Sequence, residues 1–180
     1  MRALTVTVVL LALAAAAGCG GGSGPVAPLR GFVAVTGAHY SFARPAQWRA
    51  IDMREQGGAE AVGWQSAPGA HGIPMQVGLG LAEDYPNSLE AAVDLVKGES
   101  RIVYPGYRIT DERFIDVEGA RAYRIDSTYE SFSEQPSTVR NVDLYIQTGD
   151  RVQLNLFVRG PAEDWDETRV QTMIDSLEVK

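Results

Sequence analysis

Hydrolytic chemistry needs a nucleophile activated by a neighbouring base, and only two histidines, His39 and His71, could supply one. His39 follows a flexible-looking segment, His71 lies in a Gly/Pro/Ala-rich loop, and no Gly-x-Ser-x-Gly elbow occurs. Both read as surface or loop histidines. Glu163, Asp164, Asp166 and Glu167 are dense in oxygen ligands. A calcium loop, however, spreads its ligands over about a dozen residues around a glycine turn, and that scaffold is absent. The same acids at a helix start complement its dipole, as do Glu83 and Asp84 before an earlier helix. Among 23 acidic residues a carboxylate pair suited to glycoside chemistry would arise by chance. No phosphate loop, dinucleotide fingerprint or HExxH helix is present, so no catalytic residue, metal ligand or cofactor is expected.

The aromatic residues are a better guide to a binding surface. Trp48, Trp64, Trp165, Tyr104, Tyr107 and Tyr145 fall at strand or helix ends, and most belong to the core or its edge. Tyr145 and Phe157 differ, because each is out of phase with the main apolar set of its strand. They would line a second face of the sheet, under a helix or open to a partner. With Trp165 they form the candidate binding surface.

The elements that must carry these residues are mostly strands. Met75, Val77, Leu79 and Leu81 alternate with smaller or polar residues. So do Val142, Leu144 and Ile146, and Val152, Leu154, Leu156 and Val158. This is the pattern of antiparallel strands with one face buried more deeply. Ile109, Ile115 and Val117 share one parity, as do Tyr123, Ile125 and Tyr129. Glu118-Gly119 and Gly149-Asp150 suit tight hairpins, with glycine accepting positive φ. These turns predict Val117 beside Ala120 and Thr148 beside Arg151. Shorter strands are expected at 40–44, 48–53 and 60–66.

Two segments have helical spacing instead. Asn87 can cap the first, with Glu90 at N3 and Leu89, Ala92, Val93 and Val96 as its apolar stripe; it should end before Pro105-Gly106. Asp164 can cap the second, with Glu167 at N3 and Val170, Met173, Ile174 and Leu177 facing inward. The tail 178–180 can return to the sheet. The expected class is α+β: an antiparallel sheet of about 6–8 strands with two main helices packed on it.

The N-terminus reads as an address. Met1-Arg2 is basic, and residues 3–17 are apolar apart from Thr5 and Thr7. As helix that run spans about 22 Å, short of the ~30 Å hydrocarbon core, which describes a signal peptide rather than a membrane span. Ala16-Ala17-Gly18-Cys19 resembles the lipobox of bacterial lipoproteins, with Ala16 where Leu is commoner. That resemblance implies cleavage between Gly18 and Cys19, removal of residues 1–18, and lipidation of Cys19 by palmitate-class chains. Several acyl chains at ~0.8 kcal/mol per CH₂ would hold stably where one would not. Residues 19–37, beginning Gly/Ser/Pro-rich, are expected to form a flexible tether before a domain at 38–180.

The 180 residues suffice for one core, and 45% hydrophobic with 22% charged composition argues against wholesale disorder. A net charge of −7 disfavours nucleic acid. One cysteine rules out an internal disulfide framework. The opening Tyr40-Ser41-Phe42 before Trp48, Pro105-Gly106-Tyr107, the hairpin before Ala122-Tyr123-Arg124, and the closing Ser176-Leu177-Glu178-Val179 resemble PsbP-like domains, including the actinobacterial Lpq-type lipoproteins. The resemblance implies an α/β/α sandwich that binds, stabilises or helps assemble other components, and it carries no catalytic residues. The expected protein is a non-catalytic, lipid-anchored binding or accessory protein on the extracytoplasmic face of the cell membrane. Its expected partner is an envelope lipid, glycolipid or membrane protein. The alternative is an envelope hydrolase with an unrecognised acidic/Ser site.

Overall fold

The computed structural model describes residues 30–53, 60–69, 71–118, 120–134, 136–149 and 151–180. Ten strands and two helices fill them: β1 (Phe32–Thr36), β2 (Tyr40–Pro45), β3 (Arg49–Ile51), β4 (Glu60–Gln65), β5 (Gln76–Ala82), α1 (Leu89–Val103), β6 (Arg108–Val117), β7 (Ala120–Glu130), β8 (Thr138–Gln147), β9 (Gln153–Pro161), α2 (Glu167–Asp175) and β10 (Glu178–Val179). The expected α+β class holds. Seven antiparallel strands form the main sheet in the order β3-β4-β5-β9-β8-β7-β6, and β1-β2-β10 form a smaller sheet. The tail therefore returns to a sheet of its own, pairing β2 through Glu178–Ser41 and Val179–Tyr40.

Period-two alternation decides which face each side chain meets. On one side, Val77, Leu79, Leu144, Ile146, Leu154, Leu156 and Val158 pack against Val170, Met173 and Ile174 of α2 and Tyr40 and Phe42 of β2. This is the main core. On the other side α1 covers a smaller patch, with Leu89 and Val93 on Ile125 and Tyr145.

Five local expectations need correction. β1 lies inside the stretch 19–37 expected to be tether: its β-branched run pairs along β2, and Phe32 and Val35 pack on the main core. The cap of α1 is Ser88 in place of Asn87, its Oγ accepting from Ala91 N at 3.3 Å. The cap of α2 is Asp166, accepting from Arg169 N at 3.0 Å, while Asp164 ends a 3₁₀ turn, Ala162–Asp164. In both cases the cap is the residue directly before the first helical turn, Ser88 before Leu89 and Asp166 before Glu167. In β6 a register shift between Ile109 and Asp111 turns Ile109 toward α1, whereas Ile115 and Val117 face the main core. A bulge inverts parity, so shared sequence parity did not mean a shared face. Finally, the hairpins close as expected, Val117 opposite Ala120 and Arg151 N donating to Thr148 O at 3.2 Å. Positive φ nevertheless falls on Glu118 (46°) and Arg151 (62°), with Gly149 not among the positive-φ residues.

Residues 1–29 lie outside the described residues, and with them Gly18, Cys19 and the Gly/Ser/Pro segment. Among the described residues no helix is long and apolar enough to cross a membrane.

Candidate functional site

α1 packs on β7 and β8, and the second face beside it, over β8, β9 and β5, is open as a cavity of about 680 Å³. Its floor is made by alternate residues of three adjacent strands. β8 contributes Asn141, Asp143 and Tyr145; β9 contributes Asn155, Phe157 and Arg159; β5 contributes Gln76. Register sets their neighbours, because Asn141 stands opposite Arg159, Asp143 opposite Phe157 and Tyr145 opposite Asn155. Gln65 of β4 and residues 51–53 close one side, and Val96 and Ser100 of α1 the other.

The remaining wall depends on how α1 ends. Tyr104 is extended, and Pro105 followed by Gly106 at φ 66° makes the turn that brings Tyr107 N to Tyr104 O at 3.2 Å. Proline presets the first central position and glycine supplies positive φ at the second. The turn hangs Tyr104 and Tyr107 over the sheet. Tyr104 meets Tyr129 of β7 with ring centroids 4.5 Å apart. Gly78 has a different use: a Cβ there would collide with the Phe157 ring, so its absence lets that ring lie along β5.

The electrostatics are uneven. Burial pushes the Asp143 carboxyl up to about 6, against hydrogen bonds from Asn141 and Asn155 and the field of Arg159, which pull it down. Asn141 Nδ2 donates to Asp143 Oδ2. Arg159 gives its Nε to Gln76 Oε1 at 2.8 Å and lies 4.9 Å from the Phe157 ring centroid. Burial raises the Tyr129 phenol to about 12 and shifts Tyr107 and Tyr145 in the same direction. These phenols stay neutral at ordinary pH and can both donate and accept.

A second, more apolar groove of about 460 Å³ adjoins the cavity and shares Gln76, Tyr104, Tyr129 and Arg159 with it. Ile73, Pro74, Val103, Phe132 and Val139 supply its apolar wall, with Phe132 and Val103 exposed.

Tyr145 and Phe157 thus meet in one cavity, Tyr145 buried beneath α1 and Phe157 on the floor. Trp165 does not join them. It packs at the edge of the main core, on the opposite side of the sheet, with Arg140 4.6 Å from its ring and Nε1 donating to Glu167 Oε2 at 3.0 Å. Neither histidine lines the cavity: His39 pairs with Glu83 at 3.5 Å and His71 with Glu163 at 2.7 Å. Among the described residues no group of three or more His, Cys, Asp or Glu is placed to hold a metal ion. The sequence reading missed Asn141, Asp143, Asn155 and Arg159. A signal for them existed, since each shares parity with Tyr145 or Phe157 on its own strand.

No family model matches the chain, and no curated protein matches it. Solved structures do. Cyanobacterial PsbP (CyanoP) of Synechocystis aligns with a TM-score of 0.61 at 12% identity, over 89% of this chain and 98% of its own. LpqN of Mycobacterium tuberculosis, described as involved in cell envelope biogenesis, aligns at 0.54 and 14% identity, over 87% and 99%. A Pseudomonas aeruginosa protein of unknown function, PA94, aligns at 0.56 and 9%, over 81% and 94%. The likeness is one of fold, and the fold is PsbP-like.

Proposed function

We propose that this chain is a non-catalytic, lipid-anchored binding or accessory protein of the cell envelope, held at the extracytoplasmic membrane face through Cys19, with an envelope lipid or glycolipid as its ligand in the second-face cavity. The observation that carries this is the joining of the mixed polar cavity to the apolar groove through four shared residues. A concave site with a few convergent polar groups suits a small amphiphile better than a flat protein partner. The fold shared with LpqN, a protein involved in envelope biogenesis, supports the location. One feature favours the alternative of an envelope hydrolase: Asp143, at about 6, is poised for acid–base work near neutral pH, with Ser100 in the same lining.

Native mass spectrometry of the protein released from membranes tests the binding reading, with co-purifying lipid as the expected result. Gly78→Val should drive the Phe157 ring into the cavity and lower lipid occupancy at least tenfold without loss of the folded circular-dichroism signature. Equal occupancy in the variant would place the ligand elsewhere, and turnover of a lipid ester by the wild type, abolished in Asp143→Asn, would favour the hydrolase. For the anchor, Cys19→Ala should lose labelling by a palmitate analogue; unchanged labelling would overturn the lipoprotein assignment.

A further inference from the structure

We infer that the cavity and groove together take a single-chain zwitterionic phospholipid bearing a primary amine, with the amine on Asp143, the phosphate at Arg159 and the hydrocarbon chain in the apolar groove. This rests on the binding function proposed above and specifies its ligand.

The order of charges along the surface is what points to this headgroup. Asp143 belongs to the cavity alone, Arg159 to both cavity and groove, and the apolar wall of Val103, Phe132 and Val139 to the groove alone. A ligand running through them meets an acid, then a cation, then hydrocarbon. Asp143 and Arg159 are diagonal cross-strand neighbours on one face, since Asp143 opposes Phe157 two residues before Arg159. Such diagonals stand about 7 Å apart, a span an amine and a phosphate two carbons apart can bridge.

The two charges act on each other through space, without pairing directly. Asp143 takes its hydrogen bonds from neutral amides, and Arg159 spends its Nε on the neutral Gln76 Oε1. A buried carboxylate without a cation in contact is costly, and an ammonium group would relieve it. The Tyr104, Tyr107 and Tyr145 rings around the cavity suit a cation further. The Arg159 guanidinium, with Nε on Gln76 and a further hydrogen bond to the Tyr129 phenol, still has N–H donors with which to meet a phosphate. A neutral sugar would leave both charges unmet.

Binding should depend on pH. Arg159 of β9 and Asp126 of β7 act on Asp143, the phenols of Tyr107, Tyr129 and Tyr145 lie in the same field, Glu99 of α1 acts on Tyr145, and Asp52, after β3, is a second acid in the cavity wall. Asp143 titrates at about 6, so an ammonium ligand should bind fully above that pH and weaken below it as the carboxyl takes up its proton.

Titration calorimetry of the full chain against lysophosphatidylethanolamine, its N-acetyl derivative, lysophosphatidylglycerol, an alkyl glycoside of equal chain length and glycerophosphoethanolamine tests the assignment. The amine lipid should bind at least tenfold tighter than its N-acetyl derivative and the glycoside. Asp143→Asn should erase that preference, and Arg159→Gln should weaken the lysophospholipids while leaving the glycoside unchanged. Equal binding of the N-acetyl derivative, tighter binding of the glycoside or phosphatidylglycerol analogue, or binding of the chainless glycerophosphoethanolamine equal to the lipid would overturn it. Where the N-acetyl derivative, the glycoside or the phosphatidylglycerol analogue binds as well or better, the lipid-binding function stands, whereas equal binding of the chainless compound or silence from every amphiphile would remove both.

Discussion

Leu156→Ala is expected to cost about 2–5 kcal/mol of folding stability, the range for a truncated core leucine whose cavity the surroundings fill only in part. Leu156 is 1% exposed on β9, the middle strand of the main sheet, and stands opposite Leu79 on β5 and Leu144 on β8. Strands on both sides restrain it, and the main core of α2 and β2 closes over that face, so little collapse can follow. Urea unfolding followed by tryptophan fluorescence should show a lower midpoint with an unchanged slope. Ile102→Ala, at a position 86% exposed on α1, should stay within about 0.5 kcal/mol. If Leu156→Ala cost no more than that control, the main core would not lie between β9 and α2.

Asp143→Asn is expected to stabilise the fold while removing the proposed amine preference. The carboxyl moves from an ordinary 3.8 to about 6, so the native state holds a proton that the unfolded chain releases. Below about pH 4 both states are protonated and the group is nearly neutral to stability. As pH rises through the window to 6 the unfolded chain ionises first, stability falls, and above 6 the full penalty is present. At about 1.4 kcal/mol per pKa unit the penalty is about 1–3 kcal/mol. The asparagine variant should gain that amount at pH 7–8 and almost nothing at pH 4, read from thermal unfolding across pH. Its carbonyl oxygen can still accept from Asn141 Nδ2. A variant less stable than wild type at pH 8 would mean the carboxylate is paired in solution, and the unmet-charge account of the site would fail. A functional group that destabilises its own fold is a common trade.

Much of the fold was legible in short windows. The two apolar stripes with a period near 3.6 became α1 and α2, the alternating runs became strands, and Val117 and Ala120 meet where the turn residues placed them. The out-of-phase Tyr145 and Phe157 do mark a second face. Each of these rests on residues a few positions apart, where backbone geometry alone links sequence to direction. The caps slipped by one or two residues because several side chains near each helix start could accept the same N–H, and small differences in approach choose among them. The bulge in β6 was invisible because one extra residue inverts parity without a composition signal.

The site itself depended on distant pairings. Asn141, Asp143 and Arg159 read as ordinary solvent-facing polar residues until β9 is set between β5 and β8, bringing Gln76 beside Arg159 across 83 positions. Where α1 packs on that face then separates Tyr145, held under the helix, from Asp143 on the floor of the cavity. Periodicity along the chain specified which face a side chain takes, since neighbouring residues share one strand's geometry. Which faces are covered, and which charges are left without a counterpart there, followed from long-range register and packing, to which no local pattern is coupled.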